Sequence, residues 1–184
     1  MVYNMTIAGV NRDLPICKVS DDLYIGAFVI FGDVELTVAS ARELLKKAPD
    51  YDYMITAESK GIPLVYEMAR QHGENRYLVA RKAPKLYMQK VFSTEVTSIT
   101  TPNRQMLCID QNDADYMRGK RVLIVDDVIS TGESLKAVEK LVNKAGGEVV
   151  GKMAILAEGE AAQRHDILYL EVLPLFNKDG SIRE

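Results

Sequence analysis

Val122-Leu123-Ile124-Val125-Asp126-Asp127-Val128-Ile129-Ser130-Thr131-Gly132-Glu133-Ser134 is the stretch on which the fold of this chain turns. Residues 122–125 are apolar and mostly β-branched, as in a buried strand, and they end in two adjacent carboxylates, Asp126 and Asp127. A small-residue turn follows, and from Leu135 the apolar spacing is helical. The order is strand, acidic tip, loop, helix. At the start of such a helix the first backbone N–H groups lack internal partners and the dipole is positive. An anion is favoured there by ~0.3–1 kcal/mol, or up to ~2 kcal/mol when partly buried. Ser130, Thr131 and Ser134 add hydroxyl donors, and Gly132 removes the side chain that would hold a phosphate off the backbone. Two acids side by side repel unless a cation or hydroxyl donors fill the space beyond them. The local chemistry asks for a phosphorylated sugar.

Downstream, Leu135, Val138, Leu141 and Val142 form the buried face of a helix stopped by Gly146-Gly147. Residues 149–157 read as a long apolar strand, 158–166 as a polar connection and 167–176 as a closing strand. Upstream, a strand at 53–56 runs into Glu58-Ser59-Lys60-Gly61, with a helix at 62–71 and Gly73 just beyond it. A strand at 77–80 runs into Arg81-Lys82-Ala83-Pro84-Lys85. A helix is expected over 33–47, stopped by Pro49, and three short antiparallel strands over 3–8, 15–19 and 23–30. Strands alternating with helices imply parallel βαβ units, whose ligand sites lie beyond the carboxyl ends of the strands. Three polar loops, 58–61, 81–85 and 126–134, fall at such ends. Residues 86–104 interrupt the alternation with polar residues before strand character returns at 105–109, as a lid or hairpin beside a site would.

The chain has 184 residues, 47% hydrophobic and 27% charged, enough for one domain with a full core. A net charge of -3 without a basic run gives nucleic-acid binding no electrostatic support. Only Cys17 and Cys108 are present, which argues against a disulfide framework and for a reducing compartment. Neither an export signal nor a stretch approaching the ~20 apolar residues of a membrane span is visible, so a soluble cytoplasmic protein is expected. His72 and His165 have no partners at ligand spacing, which argues against a protein-bound zinc.

Four apolar residues, two acids, two apolar residues and Ser-Thr-Gly-x-Ser resemble the phosphoribosyl pyrophosphate (PRPP) motif of the type I phosphoribosyltransferases. The resemblance implies an α/β fold, a twisted parallel sheet flanked by helices with a small N-terminal hood. Residues 1–184 would form a single domain, with 1–32 as hood strands and 33–184 as core. It also implies that Asp126 and Asp127 bind the ribose hydroxyls, and that Ser130, Thr131, Gly132, Glu133 and Ser134 bind the 5-phosphate. Glu58, Ser59, Lys60 and Gly61 sit where the family has its pyrophosphate loop. Arg81, Lys82 and Lys85 match a basic segment that in purine members contacts the pyrophosphate. Arg81, closest to the strand end, joins Asp126 and Asp127 as a catalytic candidate, since its fork can bind two phosphate oxygens at once. The implied reaction is displacement of pyrophosphate from carbon 1 of PRPP by a ring nitrogen of a base. Magnesium is expected to arrive with PRPP, with few protein ligands. A homodimer is also expected, and Leu173-Pro174-Leu175-Phe176 is read as apolar surface left for the partner.

For the base, Val79-Ala80-Arg81-Lys82, the Leu86 region and Glu158 look like the adenine members. A carboxylate accepts and suits an amino group, whereas 6-oxopurine members often carry a lysine near that position. Glu95 is the nearest acid in the lid, and residues 95–100 look closer to the lid of xanthine enzymes. The expectation is a purine phosphoribosyltransferase favouring adenine and giving AMP. A xanthine or guanine enzyme, or a PRPP-sensing regulator without turnover, stays open.

Overall fold

The computed structural model describes residues 1–88, 90–96 and 105–183, with the backbone alone for 95, 96 and 105. The chain begins with a hairpin of β1 (Val2–Ile7) and β2 (Val10–Lys18), closed by Ala8 and Gly9, both at positive φ as a tight hairpin turn requires. β3 (Tyr24–Gly26) pairs antiparallel with β2. α1 (Val34–Leu45) starts at Asp33, whose carboxylate accepts from the Leu36 N–H at 3.0 Å. β4 (Tyr53–Ala57), α2 (Gly61–His72) and β5 (Leu78–Ala80) follow, with Gly73 ending α2 in the left-handed conformation. The antiparallel pair β6 (Val91–Val96) and β7 (Gln105–Asp110) gives the arms of the expected hairpin. Next come α3 (Gln111–Met117), β8 (Arg121–Ile129), α4 (Glu133–Ala145) and β9 (Glu148–Glu158). A 3-10 turn (Gly159–Gln163) leads to β10 (Leu168–Leu173) and β11 (Leu175–Phe176).

The main sheet has the order β10-β9-β8-β4-β5, and every pair in it is parallel. Both faces are covered, which is why β8 opens as an unbroken apolar run. Val122 and Ile124 enter the core on the α3 and α4 side, while Leu123 and Val125 enter the one shared with α1 and α2. The second sheet has the order β1-β2-β3-β11 and drops Met5, Ile7 and Leu14 into that second core. Arg12 of β2 ties it to α1 by bonds to Asp33 at 2.6 and 2.9 Å and to Glu35 at 2.8 Å. The Arg12 guanidinium holds the Asp33 carboxyl below its usual range.

Several expected boundaries move. β8 does not end at the acids; it keeps its ladder with β9 through Asp126, Val128 and Ile129. The closing strand is two strands, because Pro174 has no N–H for a ladder: β10 extends the main sheet and β11 crosses to the small one. Leu173 and Phe176 are buried there while Pro174 and Leu175 are half-buried, so only part of the Leu173–Phe176 end is left as apolar surface. β3 is shorter than the expected 23–30 strand because the chain leaves the sheet after Gly26. No helix among the described residues is long and apolar enough to cross a membrane.

Candidate active site

The strand order reverses between β4 and β8, and the crevice at the carboxyl ends of those two strands is where an open α/β sheet binds ligands. β4 pairs with β8 only from Tyr53–Val122 to Ile55–Ile124. Beyond Ile124, β8 is laddered on the β9 side alone, and Asp126 and Asp127 border the opening. A cleft of about 480 Å3 lies there, lined by Ser59, Lys60, Lys82, Asp126, Asp127 and Glu158 among others.

The acids are held differently. Asp127 is buried, with 4% of its surface exposed, and its Oδ2 lies 3.1 Å from the Lys60 ammonium. Asp126 accepts the Asp127 backbone N–H at 2.9 Å. Burial, followed by the neighbouring Asp127, pushes the Asp126 carboxyl up to about 8, and Lys60 only partly opposes this. In the ligand-free site two acids therefore share one nearby ammonium.

Beyond Asp126 a cradle of about 40 Å3 is lined by residues 128–135. Gly132, at φ +76°, is the N-cap of α4 and has no side chain to cap it, and among the first N–H groups that of Glu133 reaches the Thr131 hydroxyl at a long 3.5 Å. A Cβ on Gly132 would collide with the Arg164 guanidinium. Arg164 in turn is gripped by Asp166 at 2.9 and 2.8 Å. This brace outside the loop has no signal in the local sequence.

Across the cleft, the Glu58–Ser59 peptide is cis, and Gly61 is buried so tightly that a Cβ would strike the Thr56 hydroxyl and approach Asp126. That fit seats the 58–61 loop against Thr56 and Asp126. Glu58 accepts the Lys82 backbone N–H at 3.0 Å and lies 3.5 Å from Arg81 Nε. The Lys82 bond and then the surrounding cations Arg81, Lys85 and Lys82 keep its carboxyl below the usual range. Glu58 is thus a clasp between the loops after β4 and β5. Arg81 is pinned by backbone bonds to Cys108 at 2.7 and 2.9 Å. Of the basic segment, Lys82 lines the cleft, while Arg81 is turned onto Glu58 and neither it nor Lys85 is in the lining.

Glu158, the last residue of β9, borders the cleft, and burial raises its carboxyl, with Lys60 opposing. Facing it is a wall that sequence reasoning missed, the segment Ile25 to Val29 leaving β3. Its only early sign is Gly26, where a Cβ would press on Leu173. The lid candidate Glu95, in β6, is described by its backbone alone, paired with Met106 of β7, and residues 97–104 lie outside the described residues. Another hollow, of about 570 Å3, sits by Arg76 and Tyr116, but Asp110, Asp113 and Asp115 give it the wrong sign for phosphate. No group of three or more His, Cys, Asp or Glu among the described residues could hold a metal ion. The hard oxygen donors of Asp126 and Asp127 fit a magnesium ion that is held mainly by a ligand's phosphates.

Residues 33–180 match the family profile described as phosphoribosyl transferase domain. The orotate phosphoribosyltransferase of Caldanaerobacter subterraneus is 31% identical over 132 residues, which are 71% of this chain and 58% of that protein. The adenine phosphoribosyltransferase of Petrotoga mobilis is 29% identical over 143 residues, covering 76% of each chain. The crystal structure of adenine phosphoribosyltransferase from Thermoanaerobacter pseudethanolicus superposes with a TM-score of 0.63 at 24% identity, over 78% of this chain and 84% of that one, an agreement of fold. Since the profile runs from the N-cap of α1 past β11 and takes in the three loops around the crevice, this chain belongs to the phosphoribosyltransferase family and carries its type I fold.

Proposed function

We propose that the protein transfers the 5-phosphoribosyl group of PRPP to a purine base, adenine before the 6-oxopurines, with release of pyrophosphate. The observation that carries this reading is the placing of two adjacent acids between a phosphate-sized cradle and a loop whose ammonium reaches across to them. The cradle takes the 5-phosphate through Ser130, Thr131, Gly132, Glu133 and Ser134, mainly by backbone N–H groups at the α4 start. Asp126 and Asp127 accept from the ribose hydroxyls. Lys60 and Lys82, with Ser59 and Gly61, hold the diphosphate, and Arg81 joins them when it lets go of Glu58; Lys85 contributes charge from the same segment.

With both reactants held, the C1–O bond to the diphosphate breaks and its electron pair leaves with the diphosphate. The ring nitrogen forms the new bond to C1 as its N–H bond breaks, and the proton passes to water. The chain's part is alignment and neutralisation of the leaving charge. Bound magnesium supplies further neutralisation of the diphosphate oxygens.

Adenine is supported by Glu158, a carboxylate acceptor at the rim of the cleft, and by the adenine enzymes among the relatives. The protein is further read as one domain working as a cytoplasmic homodimer. Free Cys17 and Cys108 suit a reducing compartment, and exposed Val34 and Tyr66 beside one shallow groove offer apolar surface to a second subunit. Incubation with magnesium, PRPP and in turn adenine, hypoxanthine, guanine, xanthine or orotate, with nucleotide detected by mass, tests the reading. AMP is the expected main product; faster turnover of another base refutes the assignment of Glu158, and PRPP binding without any turnover refutes the enzyme.

A further inference from the structure

Arg164 stands at the end of a run of alternating charges that leads away from the loop after β8. Its Nε and Nη2 donate to the two carboxylate oxygens of Asp166 at 2.9 and 2.8 Å. Asp166 Oδ2 also accepts from Lys152 Nζ of β9 at 3.2 Å, and that ammonium lies 2.8 Å from Glu139 Oε1 of α4. Arg164 and, after it, Lys152 hold the Asp166 carboxyl well below its usual range. The Lys152 side chain is only 13% exposed, so the run is not one of the solvated surface pairs that contribute little.

What the run leaves over is Nη1 of Arg164. It donates to none of the described residues, and it is the atom that a Cβ on Gly132 would strike. The Gly132 carbonyl accepts the Lys136 N–H at 2.9 Å, the bond that opens the ladder of α4. Whatever fixes Gly132 at φ +76° therefore fixes the first N–H groups of the helix. Glu139, in the second turn of α4, ties the same run of charges to the body of that helix.

We infer that Arg164 is a positioning residue for the phosphate of the ribose. The run from Glu139 through Lys152 and Asp166 aims its guanidinium at Gly132, which holds the loop in its phosphate-binding shape and sets a positive charge behind it. This rests on the reading of the cradle as the 5-phosphate site. Arg164 does not line the cradle, so it acts through the loop and not by touching the ligand. A loop held in shape beforehand gives up little freedom when the anion arrives, and the affinity gained comes from there. Lysine cannot take its place in full, because one ammonium lacks the fork that holds both Asp166 oxygens while a third nitrogen reaches Gly132.

Titration calorimetry of the full chain with ribose 5-phosphate and, separately, with pyrophosphate is the test. Arg164→Gln should weaken ribose 5-phosphate by at least about tenfold and leave pyrophosphate within about twofold, since the loop given to the diphosphate lies across the cleft. Arg164→Lys, with the charge but not the fork, should fall between Arg and Gln. Asp166→Asn loosens the guanidinium without removing its charge and should cost ribose 5-phosphate about three- to tenfold. Asp166 is exposed, so its variant decides the matter if Arg164→Gln does not fold. Unchanged ribose 5-phosphate affinity in either folded variant, an equal loss for pyrophosphate, or a lysine as good as the native arginine overturns the inference. If the unmodified chain does not bind ribose 5-phosphate at all, the reading of the cradle itself falls, and the inference with it.

Discussion

Replacing Asp126 by asparagine is expected to stabilise the ligand-free protein while weakening PRPP. In the unfolded chain this carboxyl titrates near 3.8, and in the fold burial and Asp127 push it up to about 8. Between those values the unfolded state has given up a proton that the native state keeps, so stability falls as pH rises through that window and levels off above it. At ~1.4 kcal/mol per pH unit, the loss accumulated at pH 7 has a ceiling of ~4 kcal/mol, and at pH 5 of ~2 kcal/mol. Asparagine carries no charge to desolvate, and its oxygen can still accept the Asp127 N–H. Allowing half the ceiling for charge shared with Asp127, Asp126→Asn should gain ~2 kcal/mol at pH 7, a rise in Tm of ~4–8 °C for a chain of this size. The gain should shrink by about half at pH 5. Loss of the charged acceptor for ribose should meanwhile cost ~1.5–3 kcal/mol of PRPP affinity, on the order of 10–150-fold. Differential scanning calorimetry at pH 5 and pH 8, with titration calorimetry for PRPP, reads both arms. A Tm gap that is absent, negative or the same at both pH values would refute this account of the acid pair.

The other predictions concern the same crevice. PRPP binding should release a fraction of a proton near pH 7 as the ribose hydroxyls and the incoming cation let Asp126 ionise; identical apparent enthalpies in buffers of different ionisation enthalpy would count against it. Gly132→Val should weaken PRPP and ribose 5-phosphate alike by at least about tenfold, since a branched residue resists φ +76° and strikes Arg164, and unchanged affinity for either ligand would contradict the cradle. Lys60→Ala should weaken PRPP and pyrophosphate but spare ribose 5-phosphate. It should also lower stability by an amount between the ~0–1 kcal/mol of an exposed pair and the ~3–5 kcal/mol of a buried one, which denaturant unfolding would measure. Glu158→Lys should turn the preference toward hypoxanthine, and in the unmodified protein the adenine-to-hypoxanthine ratio should fall as pH is lowered, because a protonated Glu158 can donate to a 6-oxo group; a ratio flat with pH would exclude that contact.

The order of elements and the three loops around the crevice were legible because each rests on local chemistry. Apolar runs mark strands buried on both faces, and Gly73 and Gly146 end helices in the left-handed conformation. What escaped depends on pairing at a distance. The run Ile25 to Val29 looks like more strand, and only the main sheet's packing on the small one makes it a wall of the cleft. Likewise, nothing near residue 164 says that its guanidinium will back the loop at Gly132. The extra length of β8 is set by β9, whose register carries the ladder past both acids. α3 was missed since its two turns have few apolar positions, Ala114 and Met117, from which to read a period.

If the proposed function holds, these long-range pairings make the site suit a whole PRPP molecule better than its parts. Lys60 has one ammonium and two anions to serve: Asp127 when the cleft is empty, and the diphosphate when it is filled. If pyrophosphate alone drew Lys60 away, a carboxylate with 4% of its surface exposed would lose its nearby cation. Ribose hydroxyls arriving in the same step replace that cation with donors, and the cradle at the start of α4 fixes them by taking the 5-phosphate. Glu58 works in parallel on the other loop, keeping Arg81 and the Lys82 backbone in place until a diphosphate competes for the guanidinium. The acids that look wasteful in isolation thus couple the two ends of the ligand, and the coupling runs through charge that the empty fold leaves only half compensated.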